Sequence, residues 1–360
     1  MRKVLKIILP VLAGLTLVLG VAAACYVYNN LNYDKGTGKK LKKAGFVEKQ
    51  AVLPDGTVLN YGEGPDNGPP LLLIHGQMTS WGNYVRVLPK LAKDFHIYAV
   101  DCHGHGKSSQ DPAKYTARAM GKDFTWFLEE VIGEPAVVSG HSSGGLLTAW
   151  LAANAPANVL GIVLEDPPFF STEPGRCEKT FAGLGFEVIH RFLNQTEETN
   201  YTRFFLENTY LQTFFGKGWQ GIKNYADKYM EKHPDKPLRI FFLPPSINQA
   251  FDLTTGPYDL RFGDTFYDCS WFDGFDQAET LARISCPSVL IHTSWSYSDD
   301  GILLAAMSGD DAQRAHRLIA GNKLINVKSG HDFHYEKPKK FTRIMLEFLE
   351  DLNNKAGEIN

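Results

Sequence analysis

Residues 136–152 read AVVSGHSSGGLLTAWLA and place a serine between two kinds of secondary structure. The run begins as a short, continuous apolar stretch typical of a buried strand, and from Leu146 onward its composition is that of a helix. Gly140 and Gly144 stand two positions either side of Ser142. A nucleophile on a tight strand-to-helix turn needs such small neighbours, because its backbone is strained and the flanking elements approach closely. The stretch therefore predicts a nucleophilic serine at the end of a strand.

Further short apolar runs precede and follow this stretch. They are residues 71–74, 97–100, 162–164, 287–291 and 323–327. Because the runs are continuous rather than alternating, they are typical of a sheet covered by helices on both faces. Residues 52–59 form two β-prone stretches around Asp55-Gly56, which predicts a hairpin. We therefore expect a doubly wound, mostly parallel α/β sheet, closed by a helix over residues 341–352.

The alternation of strands and helices is interrupted between Phe169 and Phe275. This stretch holds 16 of the chain's 23 phenylalanines and no comparable strand series. We interpret residues 169–275 as a helical cap inserted into an α/β core of residues 46–168 and 276–354. A chain of 360 residues can hold both, because single cores stop growing near roughly 250 to 300 residues. We expect most cap phenylalanines to form its core and some to line an apolar pocket.

An uncharged run of 22 residues, Ile7 to Tyr28, lies near the N-terminus. As a helix it would span roughly 33 Å, which matches a bilayer core of about 30 Å. Arg2, Lys3 and Lys6 precede the run, so the positive-inside tendency predicts that the N-terminus is cytoplasmic. We expect residues 1–33 to be a single-pass signal anchor, with the catalytic domain on the extracytoplasmic side.

The lysine-rich residues 34–45 that follow the run read as a solvated basic linker, so the anchor is expected to be separable from the catalytic domain. A second basic cluster on this side weakens the predicted orientation. A cleaved signal or a lipoprotein remains an alternative, since Ala22-Ala23-Ala24-Cys25 resembles a lipoprotein cleavage site.

Four landmarks follow one another along the predicted core. They are His75-Gly76 after the first parallel strand, the loop Asp101–Ser108 after the next, the turn at Ser142, and Gly330-His331 near the C-terminus. Their order and spacing resemble the α/β-hydrolase family over about residues 46–352, the cap excluded. The resemblance implies an α/β-hydrolase fold and a serine hydrolase of the branch with a cap domain.

The resemblance also assigns roles to individual residues. It implies that Ser142 is the nucleophile and that His331, rather than His334, is its base. It implies that the backbone N–H groups of Gln77 and Ser143 form the oxyanion hole. His75, His103 and His105 correspond to residues that shape loops in the family.

The acid of the triad is less closely determined by the sequence. The family usually places it after the penultimate strand, where Asp300-Gly-Ile-Leu matches the pattern best, so we expect Asp300. Asp299 is an alternative in the same segment. Asp166 is a third, because some members take the acid from the strand after the nucleophile helix, although Asp166-Pro167 also reads as a turn.

These residues predict a Ser-His-Asp triad that hydrolyses a carboxylic ester with an apolar acyl or alcohol part through an acyl-enzyme. A serine at position 142 argues against the dehalogenase and epoxide-hydrolase branches, which resemble this fold but carry an aspartate there. A peptidase, an amidase or another acyl hydrolase uses the same triad and stays open. A different alternative is a catalytically silent, membrane-tethered binding protein.

The composition narrows the classes of partner. A net charge of −3 gives no reason to expect nucleic acid, and five scattered cysteines predict neither a zinc site nor a disulfide framework. His103 and His105 share one tight loop without carboxylate support, so no metal or organic cofactor is expected. The expected partners are a small apolar ester and the membrane, and the oligomeric state stays open.

Overall fold

The computed structural model describes residues 2–252 and 257–359, with side chains from Pro10 to Lys355 apart from the same gap. The predicted anchor and cap therefore each include residues outside the described ranges, Met1 and residues 253–256. The side chains of Arg2, Lys3 and Lys6, on which the predicted orientation rests, are also outside them.

The described strands form one eight-stranded sheet in the order β1-β2-β4-β3-β5-β6-β7-β8. The first two strands form the predicted antiparallel hairpin, β2 is also antiparallel to β4, and the remaining neighbours are parallel. The strands are β1 (Val47–Val52), β2 (Val58–Glu63), β3 (Pro70–Ile74), β4 (His96–Val100), β5 (Ala136–His141), β6 (Val159–Glu165), β7 (Ser288–His292) and β8 (Lys323–Asn326). Each apolar run singled out in the sequence is confirmed as a strand.

Fifteen α-helices are described. The first five are α1 (Arg2–Leu31), α2 (Thr37–Lys43), α3 (Leu88–Leu91), α4 (Ala117–Trp126) and α5 (Ser143–Asn154). Six lie within residues 169–275: α6 (Phe181–Leu193), α7 (Tyr201–Asn208), α8 (Gln212–Phe215), α9 (Trp219–Lys232), α10 (Pro245–Asp252) and α11 (Leu260–Tyr267). The last four are α12 (Gln277–Ala282), α13 (Gly309–Leu318), α14 (Phe333–Glu336) and α15 (Pro338–Ile359). The helical insertion and the closing helix are thus present.

Both faces of the central strands are covered. In β3, Leu72 and Ile74 belong to one apolar cluster, whereas Leu71 and Leu73 belong to the cluster on the opposite face. All four side chains are fully buried. Burial on both faces explains why this strand is a continuous apolar run rather than an alternating one.

Helix α1 extends away from the sheet. Its segment Pro10–Leu31 is long and apolar enough to cross a membrane, and its most apolar part is not buried in the protein. Both a membrane anchor and a signal sequence have this length and composition. The helix is therefore a candidate anchor.

The segment expected to be a solvated linker has a different structure. It contains α2, whose Leu41 is buried and packs with Phe46 against one face of the core. Leu41 is the one large apolar side chain among the lysines of α2, and it fixes this helix to the domain. The end of α1 also bonds to the cap, because Asn30 Nδ2 donates to the Phe241 carbonyl oxygen (2.9 Å). Helix α1 and the α/β core are thus joined by a segment that packs on the domain rather than by a free tether.

Candidate active site

Ser142 lies at a tight turn between β5 and α5. Its φ of 55° is unusual for a residue with a side chain, and such strain persists where surrounding contacts enforce it. The Ser142 N–H donates to the Glu165 carbonyl oxygen at the end of β6 (2.9 Å), and the Gly145 N–H donates to the Ser142 carbonyl oxygen (2.8 Å). These bonds fix the serine, which is partly exposed, at the carboxyl end of the sheet.

The glycines around Ser142 are required by close packing. A Cβ on Gly144 would overlap the carbonyl oxygens of Ile74 and His75, and one on Gly140 would overlap the backbone of Gly144. A Cβ on Gly76 would lie 2.9 Å from the Cβ of Ser142, so the loop after β3 runs directly against the serine. The Gly-x-Ser-x-Gly spacing is therefore explained by the approach of β3, β5 and the start of α5.

His331 pairs with Asp166, which follows β6 directly. His331 Nδ1 lies 2.7 Å from Asp166 Oδ2, and the Asp166 carboxylate is completely buried. Thr293 donates to the same carboxylate through its backbone N–H (3.1 Å) and its hydroxyl (2.7 Å). Burial would raise the pKa of Asp166, but the bonds from His331 and Thr293 outweigh it and keep this pKa below its usual value.

The expected pairing of His331 with Asp300 is not found. Asp300 is exposed, and its Oδ1 accepts a hydrogen bond from the Tyr210 hydroxyl of the cap (2.6 Å). Asp299 is exposed as well. The reason is a local fold-back: Tyr297 pairs antiparallel with Leu303, so the two aspartates occupy the tip of an outward turn.

His331 is held from two sides. His141 Nε2 lies 3.1 Å from the His331 carbonyl oxygen, and the two imidazole rings are 4.5 Å apart. The His331 side chain stays 38% exposed, so it can meet a substrate. Burial tends to lower the pKa of His331, but the hydrogen bond and charge of Asp166 raise it to about 9.

The two residues expected to supply oxyanion-hole N–H groups flank the serine. Ser143 is the first residue of α5, and Gln77 follows the Gly76 that packs against Ser142. Tyr258 donates a hydrogen bond from its hydroxyl to the side-chain Oε1 of Gln77 (3.1 Å), which links this loop to the cap region.

The three early histidines make the contacts of loop-shaping residues. His75 Nε2 accepts a hydrogen bond from the Cys102 N–H (3.0 Å), and His105 Nε2 accepts one from the Met78 N–H (3.2 Å). His103 Nε2 pairs with Asp123 (2.9 Å). Among the residues that the structure describes, no group of three or more His, Cys, Asp or Glu side chains is placed to hold a metal ion.

The comparison with known proteins agrees with this architecture. The profile of the α/β-hydrolase fold family matches residues 69–338, which include Ser142, Asp166 and His331. The chain belongs to the α/β-hydrolase family.

Individual relatives of this α/β-hydrolase have different activities. It is 32% identical over 306 residues to a fluoroacetate dehalogenase from a Burkholderia species, an alignment that covers 79% of this chain and 88% of the relative. It is 35% identical over 116 residues to the dihydrolipoyllysine-residue acetyltransferase component of an acetoin-cleaving system from Cupriavidus necator. That match covers 32% of this chain. This chain therefore spans only about a third (31%) of the length of the acetyltransferase component. The fold also resembles the crystal structure of a bacterial membrane phospholipase A, with a TM-score of 0.61, 20% identity, and coverage of 96% of this chain and 99% of that one.

A second carboxylate–histidine pair lies behind the site of this hydrolase. The His334 backbone N–H donates to Glu165 Oε1 (2.8 Å), and His334 Nδ1 lies 2.9 Å from both carboxylate oxygens. Both side chains are fully buried. Burial raises the pKa of Glu165 to about 7 and lowers the pKa of His334 to about 4.

Sequence reasoning missed Glu165, Thr293 and the supporting role of His334. Glu165 pairs with His141 in the β5–β6 register, so the residues that follow them, Asp166 and Ser142, are neighbours at the sheet edge. The sequence offered one signal, which was the position of these residues at the ends of predicted strands. Residues at the carboxyl ends of adjacent parallel strands come together in the folded sheet.

The packing around Ser142 gives a stability prediction. Gly144→Ala is expected to lower the free energy of unfolding by about 1 to 3 kcal/mol, because its methyl group overlaps the backbone at the end of β3. Gly185→Ala is the matched control, since this glycine also lies in a helix but has nothing within 4 Å of the added carbon. Denaturant unfolding of both variants measures the difference, and an equal change at the two sites would contradict the packing argument.

Proposed function

We propose that this hydrolase cleaves carboxylic esters with an apolar acyl or alcohol part, using Ser142 as nucleophile, His331 as base and Asp166 as the carboxylate that orients the base. The observation that carries the proposal is the 2.7 Å contact between His331 Nδ1 and the buried Asp166, beside the strained turn at Ser142. A serine, a histidine and a carboxylate held in this relation are the parts of a nucleophilic triad.

The proposed reaction is a two-step acyl transfer. His331 removes the Ser142 hydroxyl proton as the serine oxygen attacks the ester carbonyl, and the N–H groups of Gln77 and Ser143 stabilise the oxyanion. His331 then gives the proton to the departing alcohol, leaving an acyl-enzyme. Water activated by His331 attacks the acyl-enzyme, releases the carboxylic acid and restores the serine. Asp166 keeps the imidazole in the required tautomer and stabilises its charged form.

The nucleophile separates this proposal from the chemistry of one relative. The Burkholderia relative is a dehalogenase, and the branch of the family that removes halides uses an aspartate at the nucleophile position. This chain has Ser142 there. An acyl-serine is cleaved by attack of water on the acyl carbonyl, which suits an ester substrate.

Substrate class can be tested with matched substrates that share one acyl group. We expect measurable hydrolysis of p-nitrophenyl esters, with kcat/KM increasing as the acyl chain lengthens, and far slower hydrolysis of the corresponding p-nitroanilides. The apolar preference follows from the phenylalanine-rich insertion. Faster cleavage of the anilides would instead support an amidase, and absence of turnover on every ester would favour a silent binding protein.

We also propose that α1 is an uncleaved single-pass anchor with the catalytic domain outside the cytoplasm. The uncharged segment and the three basic residues before it support this orientation. Protease added to cells with a permeabilised outer layer is expected to digest the catalytic domain without lysis. Complete protection until lysis would place the domain in the cytoplasm, and a mature chain that starts near Cys25 would indicate cleavage.

A further inference from the structure

Several cap phenylalanines form an exposed row rather than a buried core. Phe214 is 51% exposed and Phe241 is 41% exposed, and Phe181 and Phe215 are also exposed. The rings form two groups that meet at the adjacent residues Phe214 and Phe215. Phe241 and Phe242 lie 5.2 Å apart and Phe242 and Phe215 6.2 Å in the first, and Phe214 and Phe181 lie 6.5 Å apart in the second, measured between centroids. We call Phe181, Phe214, Phe215, Phe241 and Phe242 the aromatic strip. Exposed apolar rings grouped in this way mark an interaction surface.

One end of the aromatic strip is bonded to the last turns of α1. The Tyr26 hydroxyl donates to the Phe242 carbonyl oxygen (3.0 Å), and Asn30 Nδ2 donates to the Phe241 carbonyl oxygen (2.9 Å). Asn248 of α10 donates to the Asn30 carbonyl oxygen (3.4 Å). This end of the strip therefore has a defined height relative to the candidate membrane span.

That height coincides with the edge of a bilayer. A helix rises about 1.5 Å per residue, so a hydrocarbon core of about 30 Å that begins near Pro10 ends close to Asn30. Tyr26 and Tyr28 are exposed near this level, where tyrosines are enriched in membrane proteins. The Phe241–Phe242 backbone, bonded to Tyr26 and Asn30, lies at the same boundary.

The charge next to α1 fits the same surface. The five lysines at positions 35, 39, 40, 42 and 43 are all exposed. The one acidic residue among them, Asp34, pairs with Arg239 of the cap (3.1 Å). Basic side chains immediately beside a membrane span attract anionic lipid headgroups.

A cavity lies between the foot of α1 and the loop that follows β3. It has a volume of about 130 Å³ and is lined by Tyr33 and Asp34 at the foot of α1, by Asp252 of the cap, and by Met78 and Thr79. Met78 is the residue after Gln77, which we propose supplies an oxyanion-hole N–H group. A molecule at the bilayer edge would therefore meet an opening beside the catalytic loop.

We propose that the aromatic strip inserts into the interface of the anionic phospholipid bilayer that α1 spans, so that the hydrolase takes its ester substrate from that membrane. The inference rests on the proposed anchor and deepens the proposed function by naming a membrane-resident, lipid-like ester as substrate. The protein thus has two membrane contacts, a spanning helix and a cap surface, held together by the bonds of Tyr26 and Asn30.

Spin-label depth measurements test the insertion on the full-length chain. The variants Phe214→Cys and Phe241→Cys, made with Cys25, Cys269 and Cys286 replaced by serine, are labelled and reconstituted in vesicles of phosphatidylcholine and phosphatidylglycerol. Leu160→Cys is the matched control, because Leu160 is an apolar side chain of similar exposure (43%) at the opposite end of β6 from Asp166. Val18→Cys, within the candidate span, reports on the anchor itself.

For each label, the measured quantity is the ratio of its collision rate with oxygen to its collision rate with a water-soluble nickel complex. We expect this ratio to be several-fold higher for the labels at positions 214 and 241 than for the label at 160. Ratios equal to that at 160, with the label at 18 reading as membrane-embedded, would overturn the insertion and leave the anchor in place. A water-exposed label at 18 would overturn both. None of these readings depends on hydrolysis, so they are independent of the proposed reaction.

The cysteine substitutions and spin labels could themselves change the cap structure, so a second experiment uses the protein without substitutions. The unaltered protein is reconstituted with a phospholipid that carries a photoactivatable diazirine near its headgroup. After illumination we expect lipid adducts on peptides that contain residues 214–215 and 241–242, in addition to α1. Adducts restricted to α1 would contradict the proposal.

Discussion

Ser142→Ala is expected to lower ester turnover by about 10⁶-fold, the loss found when the nucleophile of a serine triad is removed. The change deletes the hydroxyl that would form the acyl-enzyme. It should leave the fold intact, because Ser142 is held through its backbone N–H and carbonyl groups, both of which an alanine retains.

The matched control is Ser139→Ala, three residues earlier in β5. The Ser139 side chain is completely buried and its hydroxyl has no hydrogen-bond partner among the described residues, so its removal is expected to change turnover little. Steady-state kinetics with circular dichroism of both variants separates loss of chemistry from loss of fold. Turnover in Ser142→Ala close to that of the unaltered enzyme would rule out the serine as nucleophile.

Asp166→Asn is expected to reduce turnover by about 10⁴-fold, because an asparagine no longer holds the imidazole of His331 in the correct tautomer. The change should also move the pH dependence. Asp166 raises the pKa of His331 to about 9, and only the neutral imidazole can accept the serine proton. In the unaltered enzyme kcat/KM should therefore rise with pH towards about 9. Without the carboxylate charge, burial lowers this pKa, so the rising limb of the residual activity should shift to lower pH.

Asp300→Asn supplies the comparison, since Asp300 is exposed and bonded to Tyr210 rather than to His331. Its turnover and pH profile are expected to match those of the unaltered enzyme. If Asp300→Asn caused the large loss and Asp166→Asn did not, the acid would belong to the turn after β7, and the pairing seen here would not be the catalytic one.

The sequence predicted the sheet well, because its strands are set by burial. Leu71 to Ile74 must be apolar on both faces, and such runs are visible without a structure. Ser142 was predictable for a related reason: the end of β3 packs against Gly144 and the start of α5 packs against Gly140, so only glycine fits at both positions, and this leaves a recognisable spacing.

The carboxylate could not be chosen from the sequence, because the choice depends on how one loop turns. Asp300 matched the expected spacing, but the Tyr297–Leu303 pairing carries it outward. Asp166 was an alternative acid in the sequence, weakened because Asp166-Pro167 also reads as a turn, and it does adopt a turn conformation, with a φ of 45°. Asp166 also contacts His331 and Thr293, which are more than 120 residues away in the sequence. Contacts over such a separation could not be read from the sequence.

The contacts that attach α1 to the domain could not be predicted from the sequence either. Residues 34–45 have the composition of a solvated linker, yet the single buried Leu41 fixes α2 to the core. Tyr26 lies in the uncharged run and Asn30 just after it, and their bonds to the cap depend on the position of Phe241 and Phe242. Tertiary contacts of this kind leave no periodic pattern in a sequence.

The most direct test of the central proposal is to treat the full-length protein with a fluorophosphonate probe and locate the adduct by peptide mass spectrometry. A serine activated by a histidine–carboxylate pair should carry the probe on the peptide that contains Ser142, and labelling should disappear in Ser142→Ala and slow markedly in Asp166→Asn. A folded protein that takes up no probe, or that carries it on another residue, would contradict the assignment of Ser142, His331 and Asp166 as a working triad.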